Sequence, residues 1–280
     1  MELRKTMKHN KSIIVALICV ITYLACTPQS PTKSEVIVTP AKVAKVVYPS
    51  DVTNDFIMGK FDPSIDTTFT TISSDYSDRN GLLMKKEAYE AFLKMHAAAK
   101  KDGINLVIRS AVRNFDYQKT IWEKKWTGKT ILSNGQNASV QYPDPVDRAR
   151  KILEYSSMPG TSRHHWGSDI DFNSFNNEWF SNGEGLKLFS WLEKNAIRFG
   201  YCRPYTTKNA DRPHGYNEEK WHWTYLPLST IYTSYAKDNL TADMIKGFAG
   251  SEAAADLNVV EHYVLGINKS CSAYGTNNKN

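Results

Sequence analysis

Two short stretches of this 280-residue chain concentrate side chains able to do chemistry. The first, TSRHHWGSDIDF (161–172), holds His164, His165, Asp169 and Asp171; the second, EEKWHWTY (218–225), sets Glu219 and His222 among tryptophans. A buried carboxylate is costly without a partner, so the first stretch is either a solvated polar loop or a site for something positive. With Gly167 making a turn, SDIDF becomes extended, and strand alternation turns Ile170 and Phe172 toward a core while Asp169 and Asp171 share the opposite face. His164 comes off the preceding loop and can fold over that same face. In the second stretch Trp221 and Trp223 share one face and His222 projects from the other. Glu219 has the parity of the tryptophans and reaches His222 only through a turn or bulge. One polar ligand from each of two short strands, plus one from a loop, suits catalytic zinc, which takes three N/O protein ligands, an open position for water, and a nearby carboxylate as general base. Each piece alone also has a plainer reading, as a hydrogen-bonded structural histidine or as aspartates capping a turn.

The surrounding pattern supplies elements to hold these groups. Leu82, Tyr89, Phe92, Leu93, His96 and Ala99 recur at three- and four-residue steps, predicting a helix from Leu82 to Lys101 that Gly103 stops. INLVIRS (104–110) reads as a buried strand, NFDYQKTIWEKKW (114–126) as a capped helix, and DPVDRARKILEYS (144–156) as a helix with Pro145 early in it. SDIDF and WHWTY are short strands, with a helix over 184–200 closed by Gly200 and further helices after Pro227. Helices mixed with a few short strands predict an α+β domain whose small antiparallel sheet is packed by helices.

Composition bounds the function. The formal charge is +6, but Arg4, Lys5, Lys8 and Lys11 against Glu2 place three of those charges in the first 25 residues. No basic stripe interleaved with aromatics remains, so no nucleic-acid partner is expected. The start, MELRKTMKHNK followed by SIIVALICVITYLA, has the basic and apolar regions of a targeting segment too short to span a bilayer comfortably. Leu24-Ala25-Cys26 resembles a bacterial lipobox, which implies cleavage before Cys26 and lipidation of its thiol; the alternative is an uncleaved anchor. Either places the body outside the cytoplasm. Thr27, rather than Asp, after Cys26 suggests the outer membrane if the cell is Gram-negative, with the domain facing the periplasm. The expected division is a signal peptide over 1–25, a Pro/Ser/Thr/Lys-rich tether over 26–55, a catalytic domain over 56–226 and a helical extension packed on it over 227–280. Cys202 and Cys271 remain, two thiols that an oxidising compartment allows to pair. The absence of CxxC argues against a thiolate zinc site.

Three motifs together resemble the VanY-type D-alanyl-D-alanine carboxypeptidases, zinc peptidases of the group that includes the hedgehog signalling domain. They are Ser110-x-x-Arg113-x-x-x-x-Gln118, Ser162-x-His164-x-x-Gly167-x-x-x-Asp171 and Glu219-x-x-His222, in order between about residue 56 and WHWTY. The resemblance implies that His164, Asp171 and His222 bind Zn2+ and that Glu219 is the base. It implies that Arg113 steadies the developing oxyanion and that Ser162, Gln118 and Ser110 face the substrate, a peptidoglycan stem peptide. Asp169 departs from the family, many members of which carry Ala there; it either orients a ligand histidine, faces solvent or competes for metal. His165 is either a ligand's neighbour or a ligand, and His214 either a substrate-loop or a turn residue. SPTK (30–33) lacks the partner motifs of serine-type enzymes, and TGKT (127–130) has Glu123 where a phosphate loop needs glycine. Open alternatives are L,D-carboxypeptidase or cross-link endopeptidase specificity, or a wall-binding module without activity.

Overall fold

The computed structural model describes residues 46–272; the signal segment, Cys26 and most of the tether lie outside the described residues. In chain order the elements are α1 (Asn54–Ile57), β1 (Phe69–Thr71), β2 (Leu83–Lys85), α2 (Lys86–Lys101), β3 (Ile108–Ser110), α3 (Phe115–Trp126), α4 (Ala138–Gln141), α5 (Pro145–Ile152), β4 (Asp169–Phe172), α6 (Gly183–Asn195), β5 (Tyr201–Cys202), β6 (His222–Tyr225), α7 (Leu226–Asn239), α8 (Ala253–Asp256) and α9 (Lys269–Ser272). Short 3-10 turns intervene, and one of them, Arg163–Trp166, carries His164.

The sheet order is β3-β4-β6-β5, antiparallel throughout, as the sequence predicts. Its register opposes Asp171 to His222, Ile170 to Trp223 and Asp169 to Thr224, so the polar side chains of β4 and β6 fall on one face. The other face packs Ile170, Phe172, Trp221 and Trp223 with Phe92 and Met95 of α2 and Leu188 and Leu192 of α6. A second apolar cluster gathers Phe56, Trp122, Trp166, Leu226 and Tyr232, joining the start of the domain to α3 and α7.

Local signals explain the helix ends. The Asn114 side chain accepts the Tyr117 N–H at the head of α3, where Asp116 adds an acidic first turn. Asp144 caps α5 in the same way, and Pro145 occupies its first turn. Two expectations need correction. The periodicity from Leu82 overreaches, because Leu83–Lys85 pairs with Phe69–Thr71 and the helix begins at Lys86. Pro227 likewise lies inside the first turn of α7 rather than before it, where its missing N–H costs no helical bond. The last tether residues are packed on the domain: the Tyr48 hydroxyl meets Ser234 and Asp238, its ring meets Tyr235, Val52 is buried and Thr53 caps α1.

Candidate active site

His164, Asp171 and His222 converge: one ligand atom from each lies within 4.8 Å of the others, and this is the one such three-residue group among the described residues. His164 Nε2 is 3.3 Å from Asp171 Oδ2, and His222 Nδ1 is 3.3 Å from Asp171 Oδ1. Strand pairing supplies Asp171 and His222. His164 is delivered by its tight turn, which Gly167 closes in the left-handed region (φ 69°) where a Cβ would strike Phe69.

The far side of each imidazole is also held. His164 Nδ1 donates to the Ala111 carbonyl at 2.9 Å, leaving Nε2 for the site. His222 Nε2 donates to Asp169 at 2.9 Å, leaving Nδ1 for the site. Asp169 thus neither faces solvent nor competes for metal. Its carboxylate is fully buried and also accepts from Arg163 Nε (3.1 Å), Thr224 Oγ1 (2.6 Å) and Ser168 Oγ (2.8 Å). Arg163, itself buried over Trp166, adds bonds to Thr224 and to Thr233 of α7. Such outer partners fix the ring orientation of a metal ligand.

Asp171 is the opposite case. Its Oδ1 is buried without a hydrogen-bond donor, and a carboxylate with Oδ1 3.3 Å from one imidazole nitrogen and Oδ2 3.3 Å from another is a cradle for a cation. The donor set fits zinc. Burial opposes the Asp171 charge, but His164, His222 and Arg113 outweigh it and hold the carboxyl down at about 2. Burial also opposes the charge of His222, yet its bonds to Asp169 and Glu219 and the Asp171 charge push it up to about 9. The metal-free site therefore keeps a proton on His222, which a cation must displace.

Glu219 reaches the site through the turn that strand parity demands. His222 N–H donates to the Glu219 carbonyl, and Glu219 Oε2 lies 3.3 Å from His222 Nδ1. Burial raises the Glu219 pKa above the ordinary glutamate value, which suits a base. Glu218 turns away to pair with Arg203 at 2.8 Å. Arg113 donates to Ser110 Oγ (2.6 Å) and Gln118 Oε1 (3.1 Å), with Nη1 3.7 Å from Asp171. Gln118 is fixed by its bond to the Ser157 carbonyl, and the buried Ser162 hydroxyl has no partner. These groups line one cleft of about 800 Å³. Ser110 is not among the residues lining it, and its hydroxyl accepts from Arg113.

His165 is structural. Its Nδ1 donates to the Arg113 carbonyl, its Nε2 accepts the Gly160 N–H at 3.0 Å, and burial drives its pKa down to about 3. Gly59 makes room for this ring, since a Cβ there would sit 2.4 Å from Nδ1. His214 stacks on His262 at 4.0 Å and does not line the cleft. Sequence reasoning missed Tyr205, whose ring lies edge-on to His222 at 4.8 Å, and also Lys125, Asn177, Tyr216 and Asn217, which line the cleft. None sits in a spaced motif; Lys125 alone carried a signal, as a cation two helical turns after Gln118. Cys202 and Cys271 form a disulfide with Cα atoms 5.7 Å apart.

A family model described as "VanY: D-alanyl-D-alanine carboxypeptidase" matches residues 81–228, a span containing all three motifs. "Putative carboxypeptidase YodJ" of Bacillus subtilis (strain 168) is 27% identical over 175 residues, 60% of this chain and 55% of that protein. "D-alanyl-D-alanine carboxypeptidase" of Enterococcus faecalis (strain ATCC 700802 / V583) is 25% identical over 141 residues, 49% of this chain and 46% of that protein. The chain thus spans about half the length of these curated relatives. Among solved structures, the LdcB LD-carboxypeptidase is similar at a TM-score of 0.47 and 22% identity, over 71% of this chain and 81% of that one.

Proposed function

Because the chain belongs to the VanY D-alanyl-D-alanine carboxypeptidase family, we propose that it is a zinc-dependent carboxypeptidase removing the C-terminal D-alanine of peptidoglycan stem peptides. The observation that carries the reading is the Asp171 carboxylate, one oxygen of it without a donor, set between His164 and His222 with Glu219 beside them. His164, Asp171 and His222 would hold zinc, which when bound supplies Lewis acidity toward a carbonyl and acidifies water.

The protein's own groups do the rest. Glu219 accepts a proton from the attacking water as the water oxygen bonds to the carbonyl carbon. It then returns that proton to the amine nitrogen as the C–N bond breaks. Arg113, aimed by Ser110 and Gln118, directs its guanidinium at the charge growing on the carbonyl oxygen. The unpartnered Ser162 hydroxyl and the Gln118 amide face the substrate. A wall-binding module would need neither a buried glutamate on the site nor an oriented arginine.

We place the protein outside the cytoplasm, in the bacterial cell envelope facing the periplasm, anchored through lipid on Cys26. The lipobox-like Leu24-Ala25-Cys26 and the disulfide, which belongs to an oxidising compartment, support this reading. The test is incubation of the zinc-loaded protein with defined penta- and tetrapeptide muropeptides. Loss of one D-alanine from the pentapeptide is expected; release from the tetrapeptide alone, or cleavage of a cross-link, overturns the assigned bond.

A further inference from the structure

Three arginine or lysine side chains line the cleft: Arg113, Arg163 and Lys125. Arg163 is fully engaged with Asp169, Thr224 and Thr233. Arg113 is held by Ser110 and Gln118 and faces Asp171. Lys125 differs from both. Its ammonium donates to the Ser156 hydroxyl, and among the described residues no carboxylate lies within 4 Å of it.

Its position gives it a use. Lys125 stands in the last turn of α3, seven residues after Gln118 and therefore on the same helix face. Gln118 bonds the carbonyl of Ser157 while Lys125 bonds the side chain of Ser156, so the amide and the ammonium form one wall of the cleft. Burial lowers the Lys125 pKa and the neighbouring Arg113 charge lowers it further, with Glu219 opposing. Two like charges in a half-buried cleft, one without a counter-ion, form a site for an anion.

We propose that Lys125 receives the free terminal carboxylate of the substrate and so restricts the protein to chain ends rather than cross-links. This rests on the hydrolase reading above and adds the residue that selects the substrate. The ammonium has donors left after its bond to Ser156, enough to take a carboxylate oxygen while Gln118 and Ser162 face the same group. A linear internal peptide bond offers no such charge.

The test compares a stem pentapeptide as free acid with the same peptide as C-terminal amide, using zinc-loaded wild-type protein, Lys125→Met and Lys125→Arg. Wild type is expected to favour the acid roughly 10–100-fold in kcat/KM, the range for a hydrogen bond to a charged group. Lys125→Met should lose far more on the acid than on the amide, and Lys125→Arg should recover part of the preference. Equal losses on both peptides, or no loss on the acid, overturn the proposal. Binding measured by calorimetry in Glu219→Gln, with and without Lys125→Met, reads the same preference without turnover. If wild type cleaves no peptide but this binding preference appears, the hydrolase reading fails while Lys125 still reads a carboxylate. A third peptide, with its terminal carboxylate intact and its side-chain carboxylates amidated, must bind as the free acid does; if it loses the preference, a side-chain carboxylate is the ligand and the assignment to chain ends is wrong.

Discussion

The floor of the cleft and one of its walls are built in different ways. The floor is the β4–β6 ribbon, where neighbouring backbone bonds fix Asp169, Asp171 and His222 in register. The wall is Tyr205, Tyr216 and Asn217, in a stretch without regular structure. Distant attachments hold it: the disulfide at Cys202, 69 residues from Cys271, the bond of Asn268 N–H to the Pro204 carbonyl, and the Tyr216–Tyr263 ring contact. The floor needs little beyond its own strands, whereas this wall needs the C-terminal segment. Glu219 joins the two, since its N–H donates to the Tyr205 carbonyl while its carboxylate reaches His222.

The sharpest way to break this division is at that junction. Glu219→Gln should keep zinc and fold yet lower kcat by roughly 10²–10⁴, the contribution of a general base, whereas Glu218→Gln should leave turnover near wild type. Steady-state kinetics with metal analysis of both variants checks this; full activity in Glu219→Gln would remove the base from the floor.

Next comes the wall. Cys202→Ser with Cys271→Ser should cost about 4 kcal/mol of stability, as expected for so long a loop. Zinc content should survive and KM should rise more than kcat falls. Thermal melts with and without reductant, alongside kinetics, decide it; loss of zinc would show that the wall also holds the floor.

Within the floor, Asp169→Asn should weaken zinc binding roughly 10–100-fold, the usual effect of removing a ligand's outer partner. Pairing it with Arg163→Met removes the unpaired buried cation and should restore much of the stability, but not the zinc affinity. Competition with a chromophoric chelator separates the two effects. Recovery of affinity in the double variant would reduce Asp169 to a counter-ion.

The smallest effect is on pH. His222 is raised from 6.5 to about 9 in the metal-free fold, so its charge stabilises that fold below 6.5 and the contribution is lost as pH rises through 9. Zinc competes with the same proton. Its affinity should therefore climb by up to tenfold per pH unit toward 9 and then level, with release of about one proton near neutrality. Calorimetry in two buffers of different ionisation heat tests this, and a flat profile contradicts it.

The floor was legible because period-two alternation is a local rule: Ile170 and Phe172 against Asp169 and Asp171 could be sorted to their faces from sequence alone, and the parity of Glu219 demanded the turn that is present. The stretch from Leu82 misled because a three-residue strand, Leu83–Lys85, runs straight into α2, and its partner strand lies in a loop without periodic signal. Asp169 carried three open readings because its resolution lies in Arg163, Thr224 and Thr233, one of them 64 residues on. Tyr205 was invisible as a site residue for the same reason, and the helical spacing of Lys125 from Gln118 put it on a face without saying what that face lines. Only the tertiary fold brings them to the cleft.

The segment 111–113 is laced to 163–165: His164 donates to the Ala111 carbonyl, Arg113 N–H to the His164 carbonyl, and His165 to the Arg113 carbonyl. The spacing between Arg113 and His164 is thus set by these bonds and not by the fifty residues of chain between them. Insertions and deletions in the exposed turns around 127–136 can accumulate without disturbing it. Changes of length in those turns therefore leave the placement of Arg113 against His164 intact.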